Sequence, residues 1–270
     1  FFAALASYIT RTKFIYFCMD LHPEMGQPLK DFSNPFLVTV LKKIDNWSCS
    51  RASPVVVHSL DMKNTLISRN KGNQFKIEII NNFSIPAESL DKSFSKENFK
   101  LNNDKLTIIF AGNLGRFQAL EKIMDAMAIL KTRKDIKLIL VGEGSIKENL
   151  ALKIKKTNLN VYIFDRQPVH IVKDMIKKAD IGLVSLNSNI YKYGYPGKIM
   201  TYLEQGIPII AVLEKESEIV KLMEDEKYGF CIPTLEPKKI SQFFIKLAEN
   251  NSWKSKMNSN AISAYEKHFS

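Results

Sequence analysis

Along the second half of the chain, short uninterrupted apolar runs alternate with stretches whose apolar residues recur at helical spacing. Leu106 to Ala111 is a compact strand, and Phe117 to Leu130 follows it with Phe117, Leu120, Met124, Met127 and Leu130 on one helical face. Ile136 to Val141 predicts a second strand ending in Gly142-Glu143-Gly144, and Val161 to Phe164 a third. A helix over Val169 to Lys178 leads into a strand over Ile181 to Leu186, and Ile207 to Val212 supplies another. These runs are too apolar to leave one face wet, so they predict a parallel sheet covered by helices on both sides.

The first part of the chain carries the same alternation in abbreviated form. Lys13 to Met19, Pro54 to His58 and Ile77 to Ile80 read as strands, with helices over Phe36 to Trp47 and Asp61 to Ser68. That is too few strands for a complete doubly wound domain, so this part reads as the back half of one. The stretch from Ser84 to Lys105 is rich in Ser, Asn, Asp and Lys with little apolar periodicity, as a linker would be. The predicted organisation is a partial first domain over 1–84, a linker over 85–104 and a second domain over 105–270. The absence of an initiator Met suggests a fragment.

Composition narrows the function classes. At 270 residues, 45% hydrophobic and 25% charged, the chain has the make-up of a water-soluble globule, and no apolar run is long enough to span a bilayer. The apolar start, Phe1-Phe2-Ala3-Ala4-Leu5-Ala6, has no basic region before it and is a poor fit to a signal peptide. Three cysteines, Cys18, Cys49 and Cys231, have neither disulfide parity nor metal-ligand spacing, which fits a reducing cytoplasm and predicts no metal. The net charge of +11 is spread over the chain. It is compatible with anionic lipid, nucleotide phosphate or simply a basic solvated surface. No basic stripe interleaved with aromatic residues is present, so nucleic acid is not an expected partner.

Candidate chemistry gathers where the predicted strands end. Tyr195 to Pro208 contains a Pro196-Gly197-Lys198 turn opening a short helix that closes on Gly206. It reads either as a phosphate cradle, with free backbone amides and a lysine, or as an ordinary helix start. Gly112-Asn113-Leu114-Gly115-Arg116 follows the first strand of the second domain and suits a diphosphate, or serves only a tight turn. Gly142 and Gly144 follow the next strand, and Asp165-Arg166 the one after. Neither glycine loop completes a Gly-x-Gly-x-x-Gly fingerprint, which disfavours a dinucleotide oxidoreductase. In the first domain, Asp20-Leu21-His22-Pro23-Glu24 places two carboxylates and an imidazole after a strand. They would steer a proton or bind an acceptor, or else form a turn closed by Asp20 and Pro23.

Taken in order, these segments resemble the retaining glycosyltransferases of the GT-B fold, glycosyltransferase family 4, in the bacterial branch that builds O-antigen and capsule. Phe17 to Glu24, Val55 to Lys63 and Ile79 to Phe83 resemble successive segments of the acceptor domain. Phe110 to Arg116 with Gln118, Leu140 to Gly144, Ala179 to Leu183, and Pro196 to Lys198 with Gly206 and Pro208 fall in the order of the donor domain. The resemblance implies two Rossmann-like domains, the first incomplete here. It also implies a nucleotide-sugar donor, held without cofactor or metal by Gly112, Asn113, Gly115, Arg116, Gly142, Pro196, Gly197 and Lys198, with the base near Asp165 and Arg166. Asp20, His22 and Glu24 would be the catalytic candidates.

The sugar would pass with retention to a lipid-linked or saccharide acceptor, at the cytoplasmic face of an anionic membrane, in surface polysaccharide or lipopolysaccharide synthesis. The chain departs from the family pattern at Tyr193 and Thr201, where many members carry two glutamates eight positions apart. Thr201 stands where ribose is usually held, Glu204 would substitute only if the helix were rotated, and Glu218 sits in a loop expected to face the donor. A nucleotide-sugar 2-epimerase and a non-catalytic binding relative remain the alternatives.

Overall fold

The computed structural model describes residues 1–29, 32, 34–70, 75–84 and 105–270. The predicted linker, 85–104, lies outside the described residues. The chain divides into two compact units, one of residues 1–82 with 188–195 and one of residues 83–187 with 196–270. The segment 188–195, placed in the second domain by the sequence, thus clusters with the first. Its backbone explains why: Leu21 donates to the Tyr193 carbonyl at 2.7 Å, and Asp20 bridges to Gly194 in antiparallel fashion.

In the first unit, α1 (Phe2–Thr10), β1 (Tyr16–Phe17), α2 (Pro35–Arg51), β2 (Val55–Val57), α3 (Leu60–Arg69) and β3 (Ile77–Ile79) follow one another. The strands form a parallel sheet in the order β1-β2-β3. Only β2 is buried throughout, as expected of the strand with a neighbour on each side. β1 is far shorter than the predicted Lys13 to Met19, because only Tyr16 and Phe17 find partners on β2. The helix starts are set by side chains that satisfy otherwise orphaned amides: Asn34 accepts from Phe36 at 2.9 Å with Pro35 following, and Ser59 accepts from Met62 at 3.1 Å.

The second unit runs β4 (Leu106–Ala111), α4 (Leu120–Ile129), β5 (Ile136–Val141), α5 (Lys147–Thr157), β6 (Val161–Phe164), α6 (Val169–Lys178), β7 (Ile181–Ser185), α7 (Lys198–Glu204), β8 (Ile209–Val212), α8 (Glu218–Glu226), β9 (Gly229–Cys231), α9 (Pro237–Glu249) and α10 (Lys254–His268). Its six strands lie parallel in the order β6-β5-β4-β7-β8-β9. Counted from β4 this is the doubly wound order 3-2-1-4-5-6, with the reversal of direction between β4 and β7. β4, β5, β7 and β8 are buried at every position, which is what their unbroken apolar runs require of a sheet covered on both faces. The core gathers Ile108, Phe110, Leu138, Leu140, Leu183 and Ile210 from the strands with Ile123, Met127, Ile240 and Phe244 from the helices.

One predicted helix begins late. Phe117 does not start α4; it lies in a single 3₁₀ turn, Arg116–Gln118, and Ala119 adopts a left-handed conformation at φ 50° before the helix begins at Leu120. The carbonyls of that turn are held by the end of β7: Asn187 donates through Nδ2 to Arg116 at 2.7 Å and through its amide to Phe117 at 2.8 Å, and Ser185 Oγ donates to Gln118 at 2.6 Å. Those bonds replace the helical ones, so the turn stays at the reversal point of the sheet. No described helix is long and apolar enough to cross a membrane.

Candidate functional site

Lys198 is the first residue of α7, and its side chain runs back to the carboxyl end of β4. Its Nζ lies 3.8 Å from the centroid of the Phe110 ring and donates to Gln118 Oε1 at 2.7 Å. A Cβ added at Gly112 would lie 3.2 Å from Lys198 Cε, so the lysine passes directly over the glycine that follows β4. Among the described residues no carboxylate opposes this ammonium, and burial alone lowers its pKa from the usual lysine range to about 7. A cation kept in an apolar setting with a single amide partner is costly unless an anion arrives to share the site. Gly197 precedes it in a right-handed helical conformation, with no side chain capping the amides beyond.

The position of α7 is fixed from beneath. Tyr202, fully buried, accepts a hydrogen bond from the Ala111 amide at 2.9 Å, at the end of β4. A Cβ at Gly182 would meet the Tyr202 ring at 2.4 Å, so β7 must present a glycine there for the tyrosine to pass. Neither Gln118 nor Tyr202 stands out by motif chemistry alone. Gln118 falls within an apolar helical pattern, and Tyr202 reads as an ordinary core aromatic.

Around this amine lie the other donor-site candidates. Gly112 and Asn113 are exposed, Gly115 is buried at the start of the 3₁₀ turn, and Arg116 is exposed two residues before Gln118. Gly142 is not an open surface for a ligand. It is buried at φ 145°, and a Cβ there would meet the Gly112 carbonyl oxygen at 2.0 Å, so the expected donor contact is replaced by a backbone packing role. The two loops are laced together by Gly112 donating to Val141 at 2.9 Å and Leu114 donating to Glu143 at 2.7 Å.

Asp165 and Arg166 are exposed after β6. Lys147, which no motif singled out, ties them to the preceding loop: its Nζ bonds Asp165 and lies 2.6 Å from Glu143 Oε1, which also accepts from the Arg166 amide at 3.2 Å. These bonds hold the pKa of Glu143 below, and that of Lys147 above, its usual range.

Pro196 precedes Gly197, and Thr201 sits half-buried within α7. Glu204 is not rotated toward Lys198. It ends the helix in an ion pair with Lys173 of α6 at 2.7 Å and accepts from Ser84 Oγ, which leaves it engaged away from the amine. Glu218 opens α8, whose start is capped by Ser217 accepting from Val220 at 3.3 Å, in the loop after β8.

In the first unit the three expected catalytic residues part ways. Glu24 is buried, bound by both oxygens to Arg69 Nη1 at 3.2 Å, with Lys42 at 3.6 Å. Arg69 in turn binds Asp45, which accepts from the Tyr16 hydroxyl at 2.8 Å. Glu24 is therefore a member of a compensated internal charge network, not a group open to substrate. Asp20 keeps contact with solvent, yet the protein packed around it raises its pKa, partly offset by the fields of His22 and His58. His22 is exposed beside it. Cys18 and Cys49 are buried with their thiols pushed up to about 12, which excludes them as nucleophiles near neutrality. Among the described residues no group of three or more His, Cys, Asp or Glu side chains is placed to hold a metal ion.

Two parallel sheets with alternating helices define an α/β protein of the GT-B class, and solved structures of that class superpose on it. Anabaena HepE, solved with UDP and glucose, matches over 98% of this chain and 70% of its own with a TM-score of 0.75 at 17% identity. WaaG, a glycosyltransferase of lipopolysaccharide biosynthesis, matches over 94% and 70% with a TM-score of 0.72 at 11% identity. Residues 91–264 match the model of the family described as glycosyl transferases group 1, and the chain belongs to that family. It is 25% identical to a probable glycosyltransferase, WbjE, of Pseudomonas aeruginosa over 258 residues, covering 91% of this chain and 62% of that relative's length.

Proposed function

We propose that the second unit binds the diphosphate of a nucleotide sugar over Lys198, and that the protein moves the sugar to a glycan acceptor in bacterial surface polysaccharide synthesis. The observation that carries this reading is the Lys198 ammonium, its pKa lowered to about 7 by desolvation and opposed by no carboxylate among the described residues, beside an exposed glycine at the reversal point of a doubly wound sheet. As the bond from the sugar to the diphosphate breaks, negative charge grows on the leaving phosphate oxygen. Lys198 and Arg116 answer it without a metal, and such preorganised charge stabilisation is the main contribution a site of this kind makes. Asn113, Gly115, Gly197 and Thr201 complete the phosphate and ribose surroundings, with Asp165 and Arg166 toward the base.

In this reading transfer proceeds with retention, the acceptor is lipid-linked or a saccharide, and the enzyme works at the cytoplasmic face of the membrane. The exposed Phe2, Ile9 and Phe36 together with the +11 net charge support a contact with anionic lipid. A 2-epimerase is the weaker reading, because it needs paired acid and base carboxylates and Glu24 is already occupied by Arg69.

The test is a thermal-shift screen of UDP, GDP and their sugars against the full chain. A specific donor at about 100 times its Kd stabilises by roughly 2.7 kcal/mol and raises the Tm accordingly. No shift with any nucleotide sugar, confirmed by calorimetry, removes the proposal.

A further inference from the structure

A lysine attacks an electrophile through the lone pair on its nitrogen, which the ammonium form lacks, so surface lysines are mostly inert near neutrality. Lys198 is placed differently. Phe110 covers one side of its Nζ, with the ring centroid at 3.8 Å, and Gln118 Oε1 accepts a hydrogen bond from it at 2.7 Å. Neither partner carries a charge. Burial is the one cause of the pKa lowered to about 7, with no field from Arg116 on the adjoining turn, from Tyr202 on the same helix, or from Glu204 at its end, where Lys173 holds the carboxylate. The neutral amine, with its lone pair, is therefore populated near neutral pH.

The approach to that nitrogen is open. Lys198 keeps partial contact with solvent, and the glycine that it crosses is exposed. A Cβ added at Gly112 would lie 3.2 Å from Lys198 Cε and 3.8 Å from its Nζ, so the missing side chain leaves the way to the amine uncovered. The thiols offer little competition. Burial pushes Cys18 and Cys49 up to about 12 and Cys231 to about 11, so all three stay protonated at neutral pH.

We propose that Lys198 is a modification site, acylated directly by acyl phosphates, the mixed anhydrides of a carboxylic acid with phosphate. The phosphoryl group binds where the donor diphosphate is placed above, and to that extent the inference rests on the glycosyl-transfer reading. The acyl carbon lies two bonds from phosphorus, so a phosphoryl group held over the lysine brings the electrophile to the amine. The Nζ lone pair attacks that carbon and forms the N–C bond, the C–O bond to the phosphate breaks, and the phosphate leaves with the electron pair and takes up the proton lost from nitrogen. No further reactant is needed. The product is a neutral amide in place of the cation, so an acylated chain no longer holds the donor. Donor and modifier exclude one another.

The experiment treats the full chain with acetyl phosphate across the neutral pH range and follows acetylation at each lysine by peptide mass spectrometry. At neutral pH Lys198 should react about tenfold faster than the exposed Lys122 and Lys238, and its rate should level off at higher pH while theirs go on climbing. A Lys198 no faster than those two overturns the proposal. Acetic anhydride, which carries no phosphate, should prefer Lys198 less, and inorganic pyrophosphate should protect it from acetyl phosphate. Equal preference with both reagents, or no protection, means a reactive amine without a phosphate site and overturns the proposal as well. Acetylation at Lys198 should lower nucleotide-sugar affinity about 100-fold by calorimetry, and an unchanged affinity would refute the exclusion of donor by modifier. Fast acetylation relieved by pyrophosphate, with no nucleotide-sugar binding, would sink the transfer reading and leave the modification standing. Nucleotide-sugar binding with Lys198 no faster than Lys122 would do the reverse.

Discussion

Each unit draws a charged side chain largely out of water, and the two are treated in opposite ways. In the first, Arg69 is matched by Glu24 and Asp45, with Lys42 and Tyr16 filling out the network, so every charge has a counter-charge inside the fold. In the second, Lys198 meets an aromatic face, a glutamine oxygen and a glycine, and nothing negative among the described residues. A compensated charge does its work as soon as the chain folds, whereas an uncompensated one is unfinished until a ligand of opposite sign binds. The contrast separates structure from function more sharply than residue type, since by motif Glu24 looks as functional as Lys198.

The contrast predicts a division between stability and binding. Arg69→Ala strands the buried Glu24 and the half-buried Asp45, so it should cost about 3 kcal/mol in denaturant unfolding, and any fraction that remains folded should bind nucleotide with unchanged affinity. Lys198→Ala should act the other way round, with donor affinity by calorimetry falling about 100-fold, roughly 2.7 kcal/mol, and Tm holding or rising. If Lys198→Ala unfolds the protein as Arg69→Ala does, the distinction collapses. Between these extremes, Gly142→Ala forces a Cβ onto the Gly112 carbonyl at a φ suited only to glycine. It should destabilise by about 2 kcal/mol and weaken donor binding together, as measured by paired melts and titrations.

Acidity sharpens the comparison further. The folded Lys198 releases its proton near pH 7, while the unfolded lysine keeps it to the ordinary lysine range. The unfolded state therefore binds more protons across that window, so this residue makes stability rise with pH from about 7 upward. Donor affinity runs oppositely, because the phosphate needs the charged form, and should fall as pH climbs from 6 to 8. Lys198→Arg, charged throughout, should flatten that profile in calorimetric titrations. The smallest effect is expected at Lys147, whose partners Glu143 and Asp165 are exposed. Lys147→Ala should leave the melt almost unmoved and weaken nucleotide binding only a few-fold by loosening the loops after β5 and β6.

Much of the second unit was readable because its strands are buried on both faces, and such strands announce themselves as unbroken apolar runs. The predicted bounds of β4, β5, β6 and α6 agree with the structure to the residue. The first unit was harder, since β1 is bounded by pairing rather than by composition and α2 runs on to Arg51 past the expected Trp47. Turn chemistry singled out Gly112 and Lys198, and the structure brings the two together. The sequence did not reveal the partners of Glu24, Gly142 and Glu204, because whether a group is engaged by a neighbour is decided by residues far away in sequence, here Arg69, Gly112 and Lys173. Tyr202 carries no local signal, Gln118 is marked only by the family resemblance, and Lys147 looks like any other surface lysine until the loop after β6 folds against it.

Tyr202 gives the site a peculiar independence. By gripping Ala111 from under the sheet, it fastens the helix that bears the amine to the strand end that bears the glycine, without help from the segment 188–195 that precedes that helix. The chain can therefore lengthen, shorten or reshape that segment while the seating of Lys198 over Gly112 keeps its dimensions. On the proposed function, selectivity for the acceptor can drift in one part of the protein as the grip on the donor stays constant.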